Sequence, residues 1–207
     1  MAATTVDPIG LELPPAPDLG KRRTLFVGTL LVIASGTALI GALLGGYLHA
    51  RDLAKASNQP WPPEGLVLPN VALFVIFIGL VISAFTAHWA YAAIKMDDRR
   101  QAYLAVASTI GLGLLFVNGM SFCWTRLGLA AGSSDYASSM YAVTVTHVLI
   151  VVAAVIAFVV LGFRVLGGQF SPRNSDSIAA AVAFWDFAVV IGLVVWWALW
   201  FVEGGPG

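Results

Sequence analysis

The order of hydrophobic and polar residues divides this chain into five long apolar stretches separated by short polar segments. A helix needs about 20 apolar residues to cross roughly 30 Å of hydrocarbon, and each stretch reaches that length. Strands of a membrane β-barrel would instead alternate polar and apolar residues over about ten positions. The pattern therefore predicts an all-α polytopic membrane protein, a bundle of five transmembrane helices within residues 24–203. The predicted helices cover approximately residues 24–50, 66–94, 101–125, 137–163 and 177–202.

Lysine and arginine residues predict the orientation of this bundle, because short loops rich in them stay in the cytoplasm. Most of them lie before the first predicted helix, between the second and third, and between the fourth and fifth. This distribution predicts an amino terminus inside and a carboxyl terminus outside. Residues 1–23 lack the basic-then-apolar order of a cleaved signal peptide, so we expect a cytoplasmic N-terminal arm.

Composition and charge exclude several classes of protein. The 207 residues are 59% hydrophobic and 11% charged, whereas soluble domains are about 45–50% apolar and about 25% charged. A soluble globular enzyme and a disordered tail are therefore excluded. The formal net charge of +0 lacks the basic footprint of nucleic-acid binders, so no nucleic acid partner is expected. The single cysteine, Cys123, excludes a disulfide framework and a cysteine-based metal cluster.

Three polar residues are the candidates for an intramembrane site that serves polar contacts, lipid or a subunit interface. Asp186 is the charged residue within the apolar stretches, and a carboxylate at mid-membrane costs about 2.5–3.5 kcal/mol on insertion scales. Counted from the basic ends of their helices, His88 and Asp186 fall in the inner half of the membrane, and His147 falls in the outer half. We expect Asp186 to face protein and to pair with His88 or with a partner subunit. A protonated carboxyl bonded within the bundle is the alternative.

No catalytic, cofactor-binding or metal-binding residues are predicted in this chain. No two histidines, and no glutamate and histidine, have the spacing that would place two metal ligands on one helix face. Serine, histidine and aspartate side chains at different depths would also not converge for nucleophilic catalysis.

Small residues are frequent in the first predicted helix. Such residues let the backbones of two helices approach closely in a membrane. They indicate either packing within the bundle or a docking face for another subunit, and the sequence leaves both open. They are Ser35, Gly36, Gly41, Gly45 and Gly46.

Several short motifs follow one another from about Leu25 to the end of the fifth predicted helix. They are Ala34-Ser35-Gly36-Thr37, Gly46-Tyr47-Leu48, Trp61-Pro62-Pro63-Glu64-Gly65, His88-Trp89-Ala90, Thr146-His147-Val148 and Gly168-Gln169-Phe170-Ser171-Pro172. Their order, spacing and topology together resemble subunit III of the haem-copper oxidases (the cytochrome c oxidase subunit III family) in its five-helix bacterial form.

The departures from that family fall on its polar positions, and they identify the chain as a divergent member. The roles that the family assigns to those polar groups are therefore not carried over. Gly36 stands where the family usually has a glutamate in helix 1, and Met120 and Cys123 stand where it has a glutamine and a glutamate near the end of helix 3. Thr144 replaces the first of two helix 4 histidines, and Tyr91 replaces a histidine near the end of helix 2. In helix 5, Asp186 aligns with a histidine of the family and Val189 with its later aspartate.

The resemblance implies an accessory, non-redox subunit of a respiratory terminal oxidase in the plasma (inner) membrane of a bacterium. Such a subunit braces subunit I, binds lipid, and supports proton uptake and stability while the complex oxidises cytochrome c or quinol and reduces oxygen to water. It has no cofactor of its own, and haem and copper are expected in partner subunits. The implied partners are oxidase subunits I and II, membrane phospholipids and a respiratory supercomplex.

Two other functions remain open at this stage. The first is an accessory subunit of a related respiratory complex such as a nitric oxide reductase, which the lost polar positions favour. The second is a small proton-coupled transporter that would use Asp186, His88 and His147 as a relay. The three groups do not form a graded path along the sequence, which argues against the transporter.

Overall fold

A computed structural model describes residues 24–168 and 176–201 of the chain. Both ranges are helical apart from turns and loops, and neither contains a β-strand. All five long helices have the length and composition to cross a membrane, which confirms the predicted five-helix membrane fold. The helices are α1 Thr24–Ala56, α2 Asn70–Lys95, α3 Arg99–Leu127, α4 Asp135–Leu166 and α5 Asp176–Trp196, and a π-helical segment, Trp197–Phe201, follows α5.

The helix ends differ from the predicted ones where local chemistry decides them. The first helix continues beyond residue 50 to Ala56, because a helix can extend past the hydrocarbon and carry charged side chains there. The second begins at Asn70, four residues after its predicted start at residue 66, because the preceding Pro69 disfavours helical backbone at the residue before it. The fourth begins at Asp135, where Ser134 caps it by accepting a hydrogen bond from the backbone N–H of Ala137 at 3.1 Å.

A short turn joins α2 and α3 and makes them antiparallel neighbours. Asp97 adopts the left-handed region with φ 57°, and the side chain of Asp98 caps α3 by accepting a hydrogen bond from the backbone N–H of Gln101 at 3.0 Å. This turn, together with Arg99 and with Arg164 near the end of α4, marks what we term the basic end of the bundle.

The helices are buried to very different extents. Helix α5 packs against α1, α2 and α4, while α3 packs between α2 and α4. Helix α1 packs mainly on α4 and α5, and its buried residues are Ile40 and Tyr47. Helix α5 therefore forms the centre of the bundle, and α1 presents most of its surface outward.

Polar side chains and glycines fix the interior of the bundle. The indole Nε1 of Trp185 in α5 donates a hydrogen bond to the hydroxyl of Ser83 in α2 at 2.9 Å. The hydroxyls of Thr86 and Thr109 join α2 to α3 at 2.8 Å. A Cβ at Gly113 would lie 2.6 Å from the ring of Trp185, so this ring packs directly on the α3 backbone, where a larger residue would collide with it.

Candidate functional site

His88 and Asp186 form a polar pair between α2 and α5. The ring Nε2 of His88 lies 2.9 Å from Oδ2 and 3.1 Å from Oδ1 of Asp186. This contact realises one of the two pairings expected for Asp186. His88 lies about two turns before the end of α2, and Asp186 lies nearly three turns after the start of α5. At 1.5 Å per residue, both are roughly 10–15 Å from the basic end of the bundle.

The packing of α5 explains why Asp186 points outward. The residues on either side of it, Trp185 and Phe187, are both buried. Trp185 packs edge-to-face on Phe158 with ring centroids 4.9 Å apart. Successive residues of a helix point about 100° apart, so burial of the two neighbours places Asp186 at the rim of the buried face. Its side chain is 37% exposed and that of His88 is 59% exposed.

Gly36 of α1 packs against Phe187, the residue of α5 that follows Asp186. A Cβ at this position would lie 2.8 Å from Cζ of Phe187. The small size of Gly36 therefore lets the Phe187 ring occupy this space, and α1 packs tightly on α5 here.

His147 lies in the core rather than beside the His88–Asp186 pair. It is 1% exposed, and its Nε2 is 2.9 Å from the carbonyl oxygen of Ala188. Its ring is stacked on Phe77 and meets the edge of Phe116, with centroids 6.5 and 5.3 Å away. Ala188 lies only two positions after Asp186 in the sequence, so the depth difference is smaller than counting residues predicted. Within the described ranges, no hydrogen bond or ring contact joins His147 to the other two candidates.

A cleft of about 900 Å³ opens between α1, α4 and α5 near the basic end. Its walls include Val32, Val160 and Phe184, and the side chains of Arg164 and Ser177 line it as well. Arg164 Nη1 donates a hydrogen bond to the Ser177 hydroxyl at 2.9 Å. None of the three candidate site residues predicted from the sequence lines this cleft. The sequence features that could have indicated the cleft are the cation Arg164 near the end of α4 and the small residues of α4 and α5.

The small residues of α1 divide into two groups. Gly36 packs tightly on α5 as described above, whereas a Cβ at Gly41, Gly45 or Gly46 would meet no atom of another described residue within 4 Å, apart from its chain neighbours and its own helix backbone. Internal packing therefore accounts for Gly36 but not for these three glycines.

The remaining candidate chemistry is limited. Cys123 is a free thiol that is 1% exposed. In residues 24–168 and 176–201, no group of three or more histidine, cysteine, aspartate or glutamate side chains is placed to hold a metal ion.

Comparison with known proteins places this architecture in a family. The family model described as cytochrome c oxidase subunit III matches residues 19–203. The cytochrome c oxidase subunit 3 of Thermostichus vulcanus is 27% identical over 178 residues, which cover 84% of this chain and 85% of that protein. Those of Synechocystis sp. and Strongylocentrotus purpuratus are 26% identical over 174 residues and 25% identical over 177 residues. The matches cover 81% and 84% of this chain, and 71% and 68% of those proteins. The chain therefore belongs to the cytochrome c oxidase subunit III family, as a divergent member.

Proposed function

We propose that this chain braces subunits I and II of a respiratory haem-copper oxidase in a bacterial plasma membrane and supports proton uptake and stability during oxygen reduction. A member of the subunit III family is an accessory subunit of a haem-copper oxidase, and this chain is such a member. The observation that carries the proposal is the match of the family model over residues 19–203, which includes all five spans. Haem and copper are expected in the partner subunits, because the family is non-redox.

A bracing role requires a bundle whose helices keep their relative positions. The bonds from Trp185 to Ser83 and from Thr86 to Thr109 join α2 to α5 and α2 to α3. His147 joins α4 to the backbone of α5. Because the bilayer provides no water to replace such bonds, they favour one arrangement of the helices.

Lipid binding is the second part of the proposal, and the α1–α4–α5 cleft supports it. Apolar walls suit acyl chains, and a guanidinium near the end of a span attracts an anionic headgroup. A guanidinium has five N–H donors in a planar fork, so Arg164 can bond both Ser177 and a phosphate. The cleft thus has the chemistry for an anionic phospholipid.

Affinity purification of the tagged chain from mildly solubilised membranes tests the function. We expect subunits I and II of an oxidase to copurify with it. A stable chain isolated without any oxidase subunit would contradict the proposal.

A nitric-oxide-reductase-type complex is the second candidate. It rests on the expected replacement of family polar groups by Met120, Cys123 and Val189, all three of which are buried. The same purification decides between the two, since the catalytic subunit that copurifies identifies the complex.

A further inference from the structure

The His88–Asp186 pair lies within a continuous exposed face formed by α2 and α5. On α5, Asp186 is followed along one side of the helix by exposed Val190 and Leu193, at intervals of four and three residues, and exposed Trp197 begins the π-helical segment four residues later. On α2, exposed Phe85 lies three residues before His88, on the same side of the helix. Because the pair is in direct contact, the two sides adjoin. We term this surface the α2–α5 face.

The pair differs from the exposed serine and threonine side chains within the spans. The exposed hydroxyls of Ser35, Ser108 and Ser121 each donate to a carbonyl of their own helix, at 2.8 to 3.0 Å. Thr146 does the same at 2.7 Å. These side chains can face hydrocarbon, because their hydrogen bonds are made internally.

The His88–Asp186 pair does not complete its hydrogen bonds in this way. Only Nε2 of the imidazole contacts the carboxylate, and among the described residues Nδ1 of His88 has no hydrogen-bond partner. A lipid tail cannot supply one, and the basic end of the bundle is roughly 10–15 Å away. An exposed imidazole and carboxylate at this depth therefore require a polar group from another protein segment.

We propose that the α2–α5 face is the docking surface for a transmembrane helix of a partner oxidase subunit, which places a hydrogen-bonding side chain against His88 and Asp186. This inference rests on the proposed function and identifies the surface through which the chain contacts its partner subunit. Among the described residues, Nδ1 of the imidazole lacks a partner, so the complementary group is one that can hydrogen-bond to the ring nitrogen or to the carboxylate, such as the side chain of serine, threonine, asparagine or glutamine.

Photo-crosslinking in the intact complex tests the surface. The probe is benzoylphenylalanine in place of Phe85, which lies on the same side of α2 as His88 and is 72% exposed. The matched control is benzoylphenylalanine in place of Phe163 on α4, which is 69% exposed. We expect the Phe85 probe to form an adduct with an oxidase subunit in higher yield than the Phe163 probe. Equal yields, or a Phe85 adduct only with lipid, with a second copy of this chain or with its residues 1–23, would overturn the proposal.

A double substitution separates a protein partner from lipid. Replacing an ion pair by apolar residues is often neutral or stabilising when nothing else bonds to the pair. H88L/D186L would therefore keep its oxidase subunits through purification if lipid covered the face. We expect it to lose them, because the partner's polar group would be left without its hydrogen bond. The control S108L, which replaces an exposed hydroxyl of α3, should retain them.

The two experiments also separate this inference from the proposed function. If the unmodified chain copurifies with no oxidase subunit, the proposed function fails. If it copurifies with the oxidase and H88L/D186L does so equally well, only the docking surface is wrong. If the double variant does not accumulate in the membrane, the photo-crosslink at Phe85 alone tests the docking surface.

Discussion

The side chains of Trp185 and Val155 pack on the α3 backbone at Gly113, and this contact determines whether an alanine there stabilises or destabilises the protein. A Cβ there would lie 2.6 Å from both Cη2 of Trp185 and Cγ2 of Val155. Two residues earlier in the same helix, a Cβ at Gly111 would meet nothing within 4 Å. The substitutions G113A and G111A therefore introduce the same group into the same helix, one against a packed core and one into open space.

The expected magnitudes follow from two opposing effects. Alanine is favoured over glycine in a helix by about 0.8–1.0 kcal/mol, so G111A should raise the free energy of unfolding by up to about that amount. Overpacking a well-packed core costs about 1–3 kcal/mol, and Trp185 is 1% exposed, with little room to move. Because the helix preference is common to both variants, G113A should be less stable than G111A by about 1–3 kcal/mol.

Unfolding of the purified variants in mixed micelles, followed by far-ultraviolet circular dichroism as the fraction of dodecyl sulfate rises, measures this difference. The variant G113A/V155A should recover part of the loss, because it removes one of the two contacting side chains. If G113A proved as stable as G111A, the close packing at this position would be wrong.

Two further predictions concern the interior hydrogen bond and the lipid cleft. S83A removes the acceptor for the indole of Trp185, and the same unfolding assay should show a loss of about 0.6–1.7 kcal/mol, typical of bonds between membrane helices; no loss would mean that the bond does not contribute to stability. R164L should lower the amount of anionic phospholipid that copurifies with the chain, as measured by mass spectrometry. The control K95L should leave this amount unchanged, because Lys95 does not line the cleft. Equal lipid content in both variants would contradict the assignment of the cleft.

The sequence predicts the number of spans well, because charged residues are excluded from hydrocarbon and so outline each helix. It does not predict where the helices end, since a helix continues past the bilayer wherever its backbone chemistry permits. Helix α1 thus carries Arg51 and Lys55 within its last turns. The capping residues Asp98 and Ser134 are local signals, and they fix the first residues of α3 and α4.

The candidate site was predictable in part. The similar depths of His88 and Asp186 indicated that they can meet, and they do meet. Their exposure was not predictable, because it depends on which side of α5 the buried Trp185 and Phe187 occupy. His147 shows the same limit: its burial against Ala188 results from packing among α2, α4 and α5.

Four of the positions at which we expect polar groups in the family lie in the interior of the bundle. Met120, Cys123, Thr144 and Val189 are all buried, and only Thr144 among them makes a hydrogen bond, to the carbonyl of Met140 in its own helix at 2.9 Å. Replacing a buried polar network by apolar packing of similar volume need not destabilise a fold. The scaffold can therefore persist at identities near one quarter while its polar network changes.

The central claim, that this chain supports oxygen reduction without carrying a redox centre, is tested most directly by the location of haem. Detergent treatment of the purified complex separates this chain from the rest, and reduced-minus-oxidised spectra are recorded on both fractions. We predict that all haem absorbance stays with the fraction that contains subunit I and that the amount per subunit I is unchanged. Haem absorbance that leaves with this chain would contradict the account.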